Sequence, residues 1–357
     1  MALWYQWRAP AKGGSSDAKV ELHVNLWRLS ASPTLRRRVA NFWYKTKRRV
    51  SWKEIPIVSN DVNFLDIGIL FKDSSSLASF SLYIPGKIQQ EDIEDLGVKL
   101  KKQKILMAVF NEPLVAVEGE GSESFVINNS LGAPTILCHP IKPGRDTTIG
   151  ISNSQTYGEA TIISFGGSLR SRFDEKLKNY IRFRINLSHE VASNFVTEEL
   201  SQDRAFQSSF KRDEVVEFRL NEQRSLPPDI AQRAEPGDQA HFAIDAIHYF
   251  VIRDTQWDLV LSQGKENKVR LMEQDLWDEY AFSGKPKEFR KRRHFIYHWK
   301  EKSVGGNPIT DYNALAKFRR SDTGIPRYVL WVIFGGALGS TSASILWESF
   351  LKCWLGF

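Results

Sequence analysis

From Tyr328 to Trp347 the chain reads YVLWVIFGGALGSTSASILW, twenty residues without a charge. As one helix this stretch spans about 30 Å, the thickness of a bilayer core. Few folds can house such a segment: hydrocarbon surrounds it, or a protein core does. Arg327 precedes it directly, with Lys317, Arg319 and Arg320 just before, whereas the tail ESFLKCWLGF holds one Lys. Basic flanks stay on the cytoplasmic side. The expectation is a single-pass protein of the cell membrane with the bulk of the chain in the cytoplasm. Trp331, Trp347 and Trp354 lie toward the two ends, as interface anchors do. The competing reading makes Tyr328–Phe334 a buried strand, with the Ser/Thr run 340–344 capping a separate helix from Ile345. MALWYQWRAPAKGG lacks an apolar run of useful length, so no N-terminal signal peptide is expected.

Within this segment Gly335, Gly339 and Ala343 recur every four residues and share one helix face. Gly336, Ser340 and Ser344 form a parallel row. Small residues let two helices approach closely in lipid, so a homo-oligomer is expected. Beyond them Trp347, Phe350, Leu351 and Trp354 recur at helical spacing, which reads as an amphipathic tail in the interface. Cys353 in that tail is either a palmitoylation site or an ordinary thiol.

Charge divides the chain. Residues 1–53 carry 12 basic against 2 acidic residues, and residues 285–327 carry 12 against 4. The stretch 54–284 is net acidic, with 24 against 35. Basic ends suit acidic lipid headgroups, nucleotide or nucleic acid, or they pair with the acidic middle inside one fold. The phosphate-binding candidates are Arg36, Arg37, Arg38, Arg48 and Arg49 near one end and Arg290, Lys291, Arg292 and Arg293 near the other. The two cysteines of the chain exclude a cystine-stapled secreted fold.

The pattern predicts a β-rich α+β body followed by one C-terminal transmembrane helix. Val20, Leu22, Val24 and Leu26 alternate as a half-buried strand does. Strands are read at Asn63–Phe71, Leu77–Ile84, Ile105–Phe110, Pro113–Val117, Thr161–Phe165 and Glu214–Leu220, and helices at Gln89–Gln103 and near Ser168–Tyr180. Tyr249–Arg253 and Asp258–Ser262, joined by DTQW, read as a hairpin. The proposed organisation is a basic, aromatic-rich segment 1–53, a soluble body 54–300 with a possible division near 180–230, a basic linker 301–327, the membrane helix 328–347 and the tail 348–357.

No catalytic motif is present: the chain contains no HExxH, GxSxG, CxxC or P-loop. Gly167, Ser168 and Arg170 follow a strand and open a helix, a place for an anion or merely a capped glycine turn. His241, Asp245 and His248 would share a face only if the surrounding residues were helical, whereas AIHYFVIRD reads as a strand, so they are a weak metal candidate. His294 and His298 sit in a cationic run that disfavours a metal. No cofactor is expected. The leading expectation is a tail-anchored protein whose β-rich domain binds a ligand or partner and controls association of its C-terminal helices, as a scaffold or as a membrane-acting sensor of host-defence type. The alternatives are a soluble or peripheral nucleic-acid or nucleotide binder, and an enzyme with a distributed site such as a hydrolase.

Overall fold

The structure is a computed structural model. It describes residues 1–7, 18–29, 61–119, 122–154, 158–199, 211–233, 239–263, 266–283 and 287–321, with Gly336, Ser340, Ser344 and Trp347. Strands dominate these residues. In chain order they are β1 (Ala2–Trp7), β2 (Lys19–Leu29), β3 (Val62–Asp73), β4 (Leu77–Pro85), β5 (Ile93–Asp95), β6 (Val115–Glu118), β7 (Phe125–Asn128), β8 (Pro134–Cys138), β9 (Thr147–Ser154) and β10 (Gly158–Phe165). They continue with β11 (Lys178–Leu187), β12 (Val196–Glu199), β13 (Lys211–Leu220), β14 (Gln239–His241), β15 (Ala243–Asp254), β16 (Trp257–Gln263), β17 (Glu266–Leu271), β18 (His294–Lys302) and β19 (Tyr312–Ser321). Two helices of eight residues or more are described, α1 (Gln103–Phe110) and α2 (Gln274–Phe282).

The strands form three sheets. The central one runs β17-β18-β15-β2-β3-β11-β8-β7-β6, with β5 also on β11; a second runs β14-β1-β4-β10-β9 and a third β12-β13-β19-β16. The central sheet is mixed, because β2 pairs parallel with β15 and β8 parallel with β11. Sequence alternation sets its faces. Val20, Leu22, Val24 and Leu26 of β2 join Leu65, Ile67, Ile69 and Phe71 of β3 and Ile181, Phe183 and Ile185 of β11 in one core, packed against residues of both other sheets. The opposite face packs Trp27, Phe64 and Ile252 under α1 and α2. With both faces covered, β2 is buried from Leu22 to Leu29.

The sheets are locked at their seam by buried charge. Glu214 of β13 accepts from Arg28 of β2 (3.0 Å) and Arg253 of β15 (2.7 Å). The Arg253 guanidinium lies 4.1 Å from the Trp257 ring. Burial alone would raise the Glu214 carboxyl, but Arg253 and Arg28 hold it down at about 2. Removing one partner would strand a buried charge, which costs about 3–5 kcal/mol.

Several sequence expectations change. Gln89–Gln103 is not one helix but two 3-10 turns flanking β5, and Ile105–Phe110 is helical rather than extended. The helix expected near Ser168–Tyr180 is one turn, Gly167–Arg170, before β11. β15 and β16 are consecutive yet do not pair: β15 stays in the central sheet while β16 pairs with β19. Residues 1–7 and 18–29 supply strands to two sheets. Of the segment 328–347, Gly336, Ser340, Ser344 and Trp347 are helical and exposed, and Ser344 Oγ donates to the Ser340 carbonyl at 2.8 Å. Gly335, Gly339, Ala343 and Cys353 lie outside the described residues, as does the run containing Arg36, Arg37, Arg38, Arg48 and Arg49. Among the described residues no helix is long and apolar enough to cross a membrane.

Candidate functional site

The second face of the central sheet gathers the polar chemistry. On β2 it carries Glu21, His23, Asn25 and Trp27, the residues alternate to the apolar set. Register extends this row across the sheet. His23 pairs with His248 of β15 and with Gly68 of β3, and Gly68 with Arg182 of β11. Two residues on, Asn25 pairs with Phe250 and Asp66, Phe250 with His298 of β18, and Asp66 with Arg184. Lys300 pairs with His248, and Lys268 of β17 with His298.

Under the helices this face is tied down. Trp27 Nε1 donates to Asp66 at 2.9 Å. Arg184 donates to both Asp66 oxygens, at 2.6 and 3.1 Å, with its guanidinium 3.8 Å from the centre of the Phe64 ring. Arg182 donates to the hydroxyls of Tyr280 (2.7 Å) and Tyr180 (3.0 Å). Gly68 makes room for this arrangement. A Cβ there would overlap the Tyr180 hydroxyl and come within 3.0 Å of Arg182 Nη1.

Toward β15 and β18 the face becomes a histidine cluster. Glu21 Oε1 lies 3.3 Å from His23 Nε2 and 3.3 Å from His248 Nε2. Its other oxygen meets Lys72 at 3.1 Å, and Lys72 also reaches Asp245 at 3.3 Å. The second nitrogens are engaged as well: His23 Nδ1 lies 3.3 Å from Tyr180 Oη, and His248 Nδ1 lies 3.3 Å from His298 Nε2. Because Arg182 donates to Tyr180 Oη, the tyrosine hydrogen is available to His23 Nδ1, and His23 Nε2 then donates to Glu21. His298 stacks on Phe250 with centroids 4.2 Å apart.

Burial sets the protonation. It pushes His23 down to about 4, helped by the charges of His248 and Arg182 and opposed by Glu21. His298 is likewise lowered to about 4, by burial and by His248, Lys300 and Lys268. Burial would raise the Glu21 carboxyl, yet its contacts with His23, His248 and Lys72 hold it well below the usual carboxylate range. At neutral pH His23 and His298 are neutral and Glu21 is a carboxylate. At the sheet margin Lys300 is lowered by burial and then by repulsion from Lys302 and Lys268. Exposed Arg270 extends this cationic strip.

A cavity of about 30 Å³, room for about one water, is lined by His23, Asn25, Trp27, Arg182, Arg270 and Trp277, among others. Asn25 Oδ1 and Trp277 Nε1 are buried and accept or donate no hydrogen bond within the protein.

Other sequence candidates are engaged elsewhere. Ser168 Oγ donates to the Arg145 carbonyl (3.2 Å) and Asp146 (3.1 Å), and Arg170 donates to the Leu77 and Ser74 carbonyls at 2.7 and 3.0 Å. The Gly167–Arg170 turn therefore spends its polar groups on the fold. Arg290 pairs with Asp278 and Arg292 with Asp254, while Lys291 and Arg293 are exposed. The structure does not unite His241 with Asp245 and His248: His241 Nδ1 faces the Leu3 carbonyl at 3.2 Å, whereas Lys72 and Glu21 link Asp245 to His248. One catalytic-looking chain was not visible in the sequence. Ser124 Oγ lies 2.8 Å from His139 Nδ1, and His139 Nε2 lies 2.9 Å from Asn179 Oδ1. His139 has 0% exposure and Asn179 is spent on the carbonyls of Asp174 and Leu177, so this chain braces β7, β8 and β11 rather than meeting a substrate.

Glu21, His23, Asn25 and the pairing of His248 with His298 were missed from sequence. The available signal was three polar residues, Glu21, His23 and Asn25, alternating with the apolar Val20, Leu22, Val24 and Leu26. Neither protein-family models nor curated proteins yield a match to this chain.

Proposed function

We propose that this is a membrane-tethered binding protein whose β-rich body takes a phosphate-bearing ligand on the basic, histidine-rich face of its central sheet. The observation that carries the reading is the crowding of Lys268, Arg270, Lys300 and Lys302 on two adjacent strands, where burial and then the like charges of Lys302 and Lys268 depress the Lys300 ammonium. Cations held together against their own repulsion gain most from an anion placed among them. The His298–Phe250 stack beside them offers a flat surface for a ring, which favours a nucleotide-like compound over free phosphate. The cavity beneath holds only about one water, so the ligand lies along the strip, with at most one group reaching Asn25.

The C-terminal segment 328–347 supplies the tether in this reading, and its small-residue rows supply self-association. Gly336, Ser340, Ser344 and Trp347 are each helical, which is in keeping with this reading. The back-bond from Ser344 to the Ser340 carbonyl lowers the cost of a hydroxyl in hydrocarbon.

ATP is the probe for the test. Calorimetric titration of the full chain in detergent should give saturable binding that weakens with salt. Lys268→Glu with Lys300→Glu should weaken it by about tenfold or more, the equivalent of about 1.4 kcal/mol. An unchanged affinity in that variant, or no ATP binding by the wild type, would remove the assignment.

A further inference from the structure

We propose that Glu21, His23 and His248 form a site for one divalent transition-metal ion of the zinc class. The three donor atoms, one carboxylate oxygen and two imidazole nitrogens, lie within 4.8 Å of one another. Two ligands bonded at about 2.0–2.1 Å to a tetrahedral ion stand about 3.3–3.4 Å apart. Glu21 Oε1 already has that separation, 3.3 Å, from each Nε2. The imidazole planes of His23 and His248 meet at 83°, so the rings converge on the carboxylate from different directions. Two imidazole nitrogens, one carboxylate oxygen and no thiolate suit zinc and its borderline neighbours better than calcium or magnesium.

The surroundings support the same assignment. Each donor is held from behind, as metal ligands are: His23 Nδ1 by Tyr180, His248 Nδ1 by His298, and the second Glu21 oxygen by Lys72. Both histidines sit on paired strands inside one sheet, which fixes their spacing. Asn25, 7% exposed and next along the same face, presents an Oδ1 with no protein donor. A water on the ion is a donor of the kind that oxygen lacks. Binding through His23 Nε2 selects the other tautomer of that ring, with Nδ1–H donating to Tyr180 Oη, whose second lone pair accepts from Arg182. A second close group, Asp61, Glu198 and Glu214, has the opposite character. Arg28 fills it, with contacts of 3.1, 3.3 and 3.0 Å, and takes the place an ion would need.

The site adjoins the phosphate strip through His298 and Lys300, and it is tested without nucleotide so that the two readings can fail separately. Metal-stripped full chain in detergent is titrated with Zn2+ by calorimetry and with Co2+ by visible absorption. One equivalent should bind, with d–d bands of a four-coordinate ion. Glu21→Gln and His248→Gln, each checked by circular dichroism, should weaken binding by at least tenfold, whereas His189→Gln, at an exposed histidine, should not. Zinc K-edge absorption of the wild type gives the answer even if both variants misfold: a shell of two imidazoles with light oxygen ligands is expected. No binding by the wild type, full affinity in His248→Gln, or a thiolate in the shell would overturn the site.

Discussion

Gly68→Ala is a one-carbon perturbation at the centre of the polar face. The new Cβ would overlap the Tyr180 hydroxyl, sit 3.0 Å from the Tyr180 ring carbon that bears it, and sit 3.0 Å from Arg182 Nη1. To restore ordinary contact the hydroxyl must retreat by about 1 Å in a packed interior. That exceeds the slack in its hydrogen bonds to His23 (3.3 Å) and Arg182 (3.0 Å). One bond is to a charged donor and costs about 1.5–3 kcal/mol; the other costs about 0.5–1.5 kcal/mol. With overpacking of about 1–3 kcal/mol the total is about 3–5 kcal/mol, allowing for partial relaxation. Urea unfolding of wild type, Gly68→Ala, Tyr180→Phe and the double variant reads this directly. Tyr180→Phe alone should cost about 2–3 kcal/mol. Removing the oxygen that clashes should then make the double variant about 1–2 kcal/mol more stable than the sum of the singles predicts. Additive losses, or a neutral Gly68→Ala, would refute the reasoning, because the hydroxyl would then not be what the glycine accommodates.

Two further outcomes follow from charge and from the tail. His139 and His294 are buried, and burial lowers each to about 4. The unfolded chain, with histidines near 6.5, binds more protons between pH 6.5 and 4, so stability should fall on acidification through that window, by up to about 1.4 kcal/mol per pH unit for each group. His294→Leu should flatten the pH dependence of the unfolding midpoint, and an unchanged slope would count against a neutral His294. In membranes, Gly335→Leu with Gly339→Leu should abolish chemically crosslinked oligomers while the protein stays in the carbonate-resistant pellet; persistent crosslinks would remove the packing role of that face.

Much of the strand content was legible because alternation is a local property. Val20 to Leu26 and the runs Asn63–Phe71 and Leu77–Ile84 all read correctly as extended, since each shows its period within a few residues. The errors have physical causes. Ile93, Leu96 and Leu100 have helical spacing and are indeed buried, at 5%, 0% and 0%. The backbone buries them otherwise, because Asp95 accepts from the amides of Val98 and Ile141 and Gly97 packs against Pro140. Ile105–Phe110 is a short apolar run, which periodicity alone cannot assign to helix or strand. The turn after Asp254 was visible, but the sheet that Trp257 enters was not, since the partner strand β19 lies more than fifty residues on. The candidate site was hidden for the same reason. His23 and His248 are neighbours only through a parallel pairing across 225 positions, which nothing local encodes.

Hydrogen–deuterium exchange of the full chain with and without saturating ATP tests the binding face most directly. The account predicts slower exchange confined to β17 and β18, residues 266–271 and 294–302, and smaller changes around Asn25 and Phe250. Protection that falls instead on residues 36–49, or exchange identical in both samples, would contradict it.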